Sequence, residues 1–148
     1  MVQPGNAVAN EVQAAQDEVI AEFSFFDDWM DRYQYLIDLG RRLPALTEAE
    51  LVDENKIRGC QSQVWLVAAE EDDRLHFKAI SDAAIVSGLI ALLLRIYSGR
   101  RPQDILDTPP DFVTELQLEQ HLSATRSNGL AAMLKAIRRC ATEALQAA

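Results

Sequence analysis

The stretch Leu75–Leu94, LHFKAISDAAIVSGLIALLL, changes its hydrophobic pattern at Ser81–Asp82. Before that point Leu75, Phe77 and Ala79 alternate with His76, Lys78 and Ile80, the two-residue period of a β-strand. Beyond it, Ala83–Leu94 is almost wholly apolar, interrupted only by Ser87 and Gly88. The run is too short to cross a membrane and is closed by Arg95, so it reads as a central helix buried on most sides. Ser81 or Asp82 can cap this helix, and Gly88 can let another element approach it closely.

Upstream, Val64–Val67 is rich in strand formers, and Glu70–Asp73 supplies an acidic turn into Leu75, which predicts an antiparallel hairpin. Lys56–Arg58 carries a weak signal for a short third strand. Thr47 and Glu50 have capping-box spacing and predict a short helix over Glu48–Val52. Earlier still, Asn10 caps a helix with Val12, Ala15, Val19 and Phe23 on one face, and Ser24–Phe26 interrupts it. Asp27 caps the next helix, striped by Trp29, Tyr33, Leu36 and Ile37 and ending with Gly40 at C′.

Downstream, Gly99 and Pro102 open a short helix through Leu106, and Pro109–Pro110 precede another near Phe112–Leu118. Ser123 caps a final helix whose Leu130, Met133, Leu134, Ile137, Ala141 and Leu145 form one broad face. Lys135, Arg138, Arg139 and Glu143 form the other. The pattern predicts an α+β fold, a small antiparallel β-sheet covered by helices. Residues 1–9 read as a flexible N-terminal arm and residues 10–148 as a single domain.

At 148 residues the chain can bury about 70% of its unfolded surface without staples. Its 14 basic and 23 acidic residues give a net charge of -9, which argues against nucleic acid as the partner. No signal peptide and no membrane segment are evident, so the expected location is cytoplasmic. Two cysteines, Cys60 and Cys140, cannot alone build a zinc site, and no glycine-rich phosphate loop precedes a helix. No metal and no bound cofactor are expected. A Cys60–Cys140 disulfide stays open, since sequence separation carries no geometry.

The chemistry therefore rests on one thiol. Gly59–Cys60–Gln61–Ser62 lies between a connector and the hairpin, where a thiol can reach beyond the core. Lys56 and Arg58 would favour the thiolate if their charges point inward, and turn N–H groups could add to this. Gln61, Ser62 and Gln63 are uncharged donors and acceptors suited to a loop that changes partners, and Trp65 can anchor the hairpin behind it. A buried cysteine acting as a small hydrophobe is the alternative for Cys60, and packing is the reading for Cys140. His76 reads as a strand-face residue and His121 as an ordinary hydrogen-bonding residue.

Gly59–Cys60–Gln61–Ser62–Gln63–Val64–Trp65–Leu66 resembles the cysteine-loop signature of SufE-type sulfur-acceptor proteins. Ser81–Val86, Gly88–Ile90, Pro102–Ile105 and the run from His121 to Leu130 carry the same resemblance, as does the helix end Tyr33–Leu43. It implies a SufE/IscU-like fold and a sulfur shuttle in iron–sulfur cluster biogenesis. By it, Cys60 matches the cysteine that accepts persulfide sulfur from a pyridoxal-phosphate-dependent cysteine desulfurase of the SufS/CsdA type, whose turnover is stimulated. The PLP belongs to that partner. Asp82 matches an acidic residue beside the loop, where it could cap the helix or steady the loop, and His121 and Arg126 fall near the active face. The cluster-ligating cysteines of the related scaffold fold are missing, so sulfur moves without a cluster being held.

The implied role is sulfur transfer and desulfurase activation rather than independent multiple turnover, with an Fe–S scaffold complex as the downstream partner. Monomer and homodimer both stay open. Two other functions compete: a stand-alone thiol redox protein using Cys60, and a non-catalytic adaptor with Cys60 buried.

Overall fold

Helix and strand follow the hydrophobic pattern closely in a computed structural model that describes residues 10–147. The arm expected at residues 1–9 lies outside the described residues. Strands β1 (Val64–Glu71) and β2 (Arg74–Ser81) pair antiparallel, from Val64 opposite Ser81 to Glu71 opposite Arg74. The turn is tighter than the expected Glu70–Asp73. Only Asp72 and Asp73 lie outside the strands, at φ 55° and 63°, the doubly left-handed geometry whose twist matches a hairpin. Leu75, Phe77 and Ala79 are buried and His76 and Lys78 exposed, as the alternation predicts.

The helices are α1 (Glu11–Phe23), α2 (Trp29–Gly40), α3 (Ala84–Tyr97), α4 (Pro102–Asp107), α5 (Asp111–Glu115), α6 (Leu118–His121) and α7 (Ala124–Ala147). Helix α3 packs against α1, α2, α7 and β2. It buries Leu89, Ile90, Leu92, Leu93, Ile96 and Tyr97 almost completely, which is why its sequence shows no polar face. Asn10 caps α1 by accepting the Gln13 N–H at 2.9 Å, and Ser123 caps α7 by accepting that of Arg126 at 3.2 Å. Leu145, assigned to the apolar face of α7, lies beyond the core and is 40% exposed.

Gly88 admits another element at close range, as expected, and the element it meets is the end of α2 at Gly40. A Cβ on Gly88 would lie 2.3 Å from the Leu36 carbonyl oxygen, and one on Gly40 would lie 2.7 Å from the Gly88 nitrogen. Helices α2 and α3 thus cross backbone to backbone. Gly40 is the last residue of α2 rather than its C′ residue, and Arg41 forms the C-cap.

Other boundaries shift for local reasons. Asp28, not Asp27, caps α2, accepting the Asp31 N–H at 2.9 Å. The capping box closes as expected, with Thr47 N–H donating to Glu50 Oε1 at 2.9 Å and Glu50 N–H to Thr47 Oγ1 at 3.2 Å. It holds a turn rather than a helix, and the one helical turn nearby is a 3₁₀ turn at Asp53–Asn55. Lys56–Arg58 contributes a single bridge to Trp65 rather than a strand. The helix expected over Phe112–Leu118 splits into α5 and α6 at Gln117, whose φ is 56°.

Candidate functional site

The segment before β1 is a loop pinched at its base. Ile57 N–H donates to the Val64 carbonyl at 2.9 Å, leaving 58–63 as the projecting part. Gly59 has φ 93°, a left-handed conformation that a side chain would strain, and a Cβ added there would lie 3.4 Å from that of Ala132 on α7. That conformation directs the following residue back toward α7.

The Cys60 side chain is half-buried in a small pocket lined by Gln61, Ser62, Val86, Thr125, Arg126, Gly129 and Met133. Its Sγ donates weakly to the Gly129 carbonyl at 3.7 Å. Burial alone pushes the thiol pKa up from its ordinary value near 9.0. The resting group is therefore a protonated thiol, not the poised thiolate that nearby cations would create.

The two cations read as thiolate activators act elsewhere. Lys56 pairs with Asp53 at 3.3 Å and lies over the Trp65 ring at 5.4 Å, while Arg58 is exposed and lines a separate cleft. Trp65 does back the hairpin, half-buried beside the Lys56 bridge. Arg126 is the only cation in the wall of the thiol pocket and makes no ion pair among the described residues.

Asp82 occupies neither cap. The N-cap position of α3 is Ala83, which has no side-chain acceptor, and Ser81 Oγ takes the Ala83 N–H at 3.2 Å. The Asp82 carboxylate instead accepts the Gln63 N–H at 3.0 Å, and the Asp82 N–H donates back to the Gln63 carbonyl at 3.3 Å. This reciprocal pair fixes the exit of the cysteine loop to the entry of α3.

His121 is not gathered at the thiol. Its ring stacks on Trp29 at 4.3 Å, its Nδ1 lies 3.1 Å from the Gln117 carbonyl, and its own carbonyl accepts from Tyr33. It fastens α6 to α2. His76 stays on the exposed strand face. Cys140 is a free, half-buried thiol in the cleft that Arg58 lines. It lies eleven positions along α7 from Gly129, or ~16 Å at the helical rise, so a disulfide with Cys60 is geometrically closed in this state.

The pocket residues Val86, Thr125, Gly129 and Met133 escape a reading of the residues one at a time. Gly129 and Met133 follow the final cap at positions that turn the same side of α7 inward, but which loop they meet is a tertiary fact. Among the described residues no group of three or more His, Cys, Asp or Glu is placed to hold a metal, and no helix is long and apolar enough to cross a membrane.

Comparison with known proteins adds the family. Residues 17–141 match the family model SufE, Fe-S metabolism associated domain. An uncharacterized SufE-like protein of Rhizobium meliloti is 44% identical over 127 residues, covering 82% of this chain and 91% of its own. One from Rhizobium etli is 46% identical over 131 residues, covering 84% and 88% respectively. The fold matches a solution structure of a hypothetical protein from Thermus thermophilus with a TM-score of 0.74 at 22% identity, over 89% of this chain and 96% of that one.

Proposed function

Because the chain belongs to the SufE family, and so to Fe–S metabolism, we propose that Cys60 accepts persulfide sulfur from a cysteine desulfurase and carries it toward iron–sulfur cluster assembly. The observation that carries this reading is the placement of Cys60. Its thiol sits at the turn of a pinched loop, packed only partly against the core and held inward by one weak hydrogen bond.

The transfer balances with no outside redox partner. The Cys60 thiolate attacks the terminal sulfur of the donor's cysteine persulfide, a new S–S bond forms on Cys60, and the donor cysteine leaves as thiolate. Loss of the Cys60 proton precedes attack, and burial opposes it. Movement of the loop into a docked donor removes that penalty and returns the thiol toward its ordinary acidity. Folded back, the pocket beside Cys60 keeps about 20 Å³ of free space, room for about one water-sized atom next to the thiol. A carried sulfur can be sheltered there from solvent.

Asp82 and Gln63 supply the resting catch of the loop, and Arg126 offers the emerging anionic sulfur a cation at the pocket wall. PLP works in the donor, and the transfer takes place in the cytoplasm. A stand-alone redox cycle finds little support, since the other thiol, Cys140, is ~16 Å away along α7 and cannot resolve an oxidised Cys60 without large movement.

The test is intact-protein mass analysis after incubation with a PLP-dependent cysteine desulfurase and free cysteine. Wild type and Cys140→Ser gain one sulfur atom, whereas Cys60→Ser gains none. Equal sulfur uptake by Cys60→Ser overturns the assignment, and normal stimulation of the desulfurase by Cys60→Ser favours an adaptor.

A further inference from the structure

A second concavity, separate from the thiol pocket, opens between residues 54–59 and the outer face of α7. It measures about 680 Å³. Arg58 stands on its loop wall and Lys135 and Arg139 on its helix wall, and none of the three makes an ion pair among the described residues. A fourth cation, Lys56, is already held by Asp53. Two carboxylates, Glu54 and Glu143, also line the cleft. Three cations without an ion-pair partner share this hollow with those two carboxylates, a small local excess of positive charge in a chain whose net charge is -9. Such a local reversal of sign steers and holds anionic partners.

The layout argues for an extended ligand. On the helix wall Asn128 and Arg139 are separated by ~16 Å at the rise of an α-helix, with Lys135 one turn before Arg139. A single phosphate or carboxylate cannot touch both walls and that length together. An extended peptide advancing ~3.3 Å per residue spans it in about five residues.

We infer that this cleft binds an acidic, extended segment of a partner protein. Its carboxylates meet Arg58 from one wall and Lys135 and Arg139 from the other, and the Asn128 amide is available to its backbone. Glu54 and Glu143 repel carboxylates at their own positions and so restrict the register of the segment. Gly59, next to the reactive cysteine, forms part of the same wall, so the occupant touches the stem of the sulfur-bearing loop. The inference goes beyond sulfur transfer, and its test contains no desulfurase, so either reading can fail without the other.

Cys60→Ser leaves Cys140, inside the cleft, as the one thiol of the chain. In that background, a fluorescein-labelled, end-blocked hexaglutamate peptide is titrated by anisotropy, alongside a hexaglutamine peptide and inorganic phosphate. Hexaglutamate is expected to bind saturably, to weaken about tenfold between low and moderate salt, and to slow alkylation of Cys140 by iodoacetamide about threefold or more. The exposed-surface triple variant Arg58→Gln, Lys135→Gln, Arg139→Gln, checked for wild-type circular dichroism and Tm, is expected to lose binding and protection. Arg41→Gln with Arg42→Gln, at the far end of α2, is expected to keep both. No saturable binding overturns the inference. So does equal binding of hexaglutamine, protection of Cys140 by phosphate alone, or retention of both effects in the folded triple variant.

Discussion

The Asp82 carboxylate reaches back nineteen residues to accept the backbone N–H of Gln63 at 3.0 Å, tying the entry of the central helix to the exit of the cysteine loop. The bond is exposed to water, so it contributes about 1 kcal/mol at most. Asp82→Ala is expected to raise the rate of Cys60 alkylation by iodoacetamide about fivefold while shifting Tm little. Asp82→Asn, which keeps an acceptor oxygen, is expected to fall between. The Cys140→Ser background isolates the signal, and equal rates in all three proteins would show that the bond does not restrain the loop.

The acidity of Cys60 offers a second check. Burial raises its pKa, so the midpoint of its alkylation rate against pH is expected above the ordinary value of 9.0. The folded state then keeps a proton that the unfolded chain releases. Its contribution to stability is complete below the unfolded pKa and declines as pH rises toward the folded one. In Asp82→Ala the midpoint is expected to move down toward that of a free thiol. A profile centred below 9.0 in wild type would mean that a charge, not burial, governs the group.

At the crossing of α2 and α3, Gly88→Ala is expected to destabilise by about 3 kcal/mol, since its Cβ would lie 2.3 Å from a backbone carbonyl that cannot move alone. Thermal unfolding should register a drop of roughly 9 °C. Gly129→Ala is the contrast. Its Cβ would lie 3.7 Å from the Cys60 sulfur, an ordinary contact, and the gain in helix propensity is about 1 kcal/mol. Its Tm is expected to hold or rise.

Glu22 supplies an acid-side prediction. Arg95 forks onto its two oxygens at 2.5 and 2.6 Å and Tyr35 donates as well, so these bonds hold its carboxyl below the usual 4.5. The folded state favours the ionised form. This stability is present above the unfolded pKa and is lost as pH falls through the lowered folded one. Glu22→Gln is expected to reduce urea stability at pH 7 by about 1 kcal/mol and to flatten its decline on acidification. An unchanged acid slope would remove Glu22 from that account.

The hairpin and the two longest helices were readable because apolar periodicity is a local property, and α3 announces its burial by lacking a polar face. Cap identity was ambiguous where neighbours share chemistry: Asp27 and Asp28 offer the same carboxylate, and only the second has the backbone to use it. The site was legible at Cys60 and much less so around it. Lys56 was a plausible activator by proximity in sequence, yet its ammonium is engaged by Asp53 and the Trp65 ring. Asp82, His121 and Gly40 each have their decisive neighbour on another element, Gln63, Trp29 and Gly88, and no local pattern encodes those meetings.

The pinch at Ile57 and Val64 also sets a leash. With the framework locked where two glycines interlock, displacement is left to the six residues between those anchors, and Cys60 stands three positions from the nearer one. An extended chain gives it a stroke of about 10 Å from the pinch. Any donor must therefore bring its own sulfur to within that radius, and adding glycine on either side of Cys60 would lengthen the throw while loosening the aim.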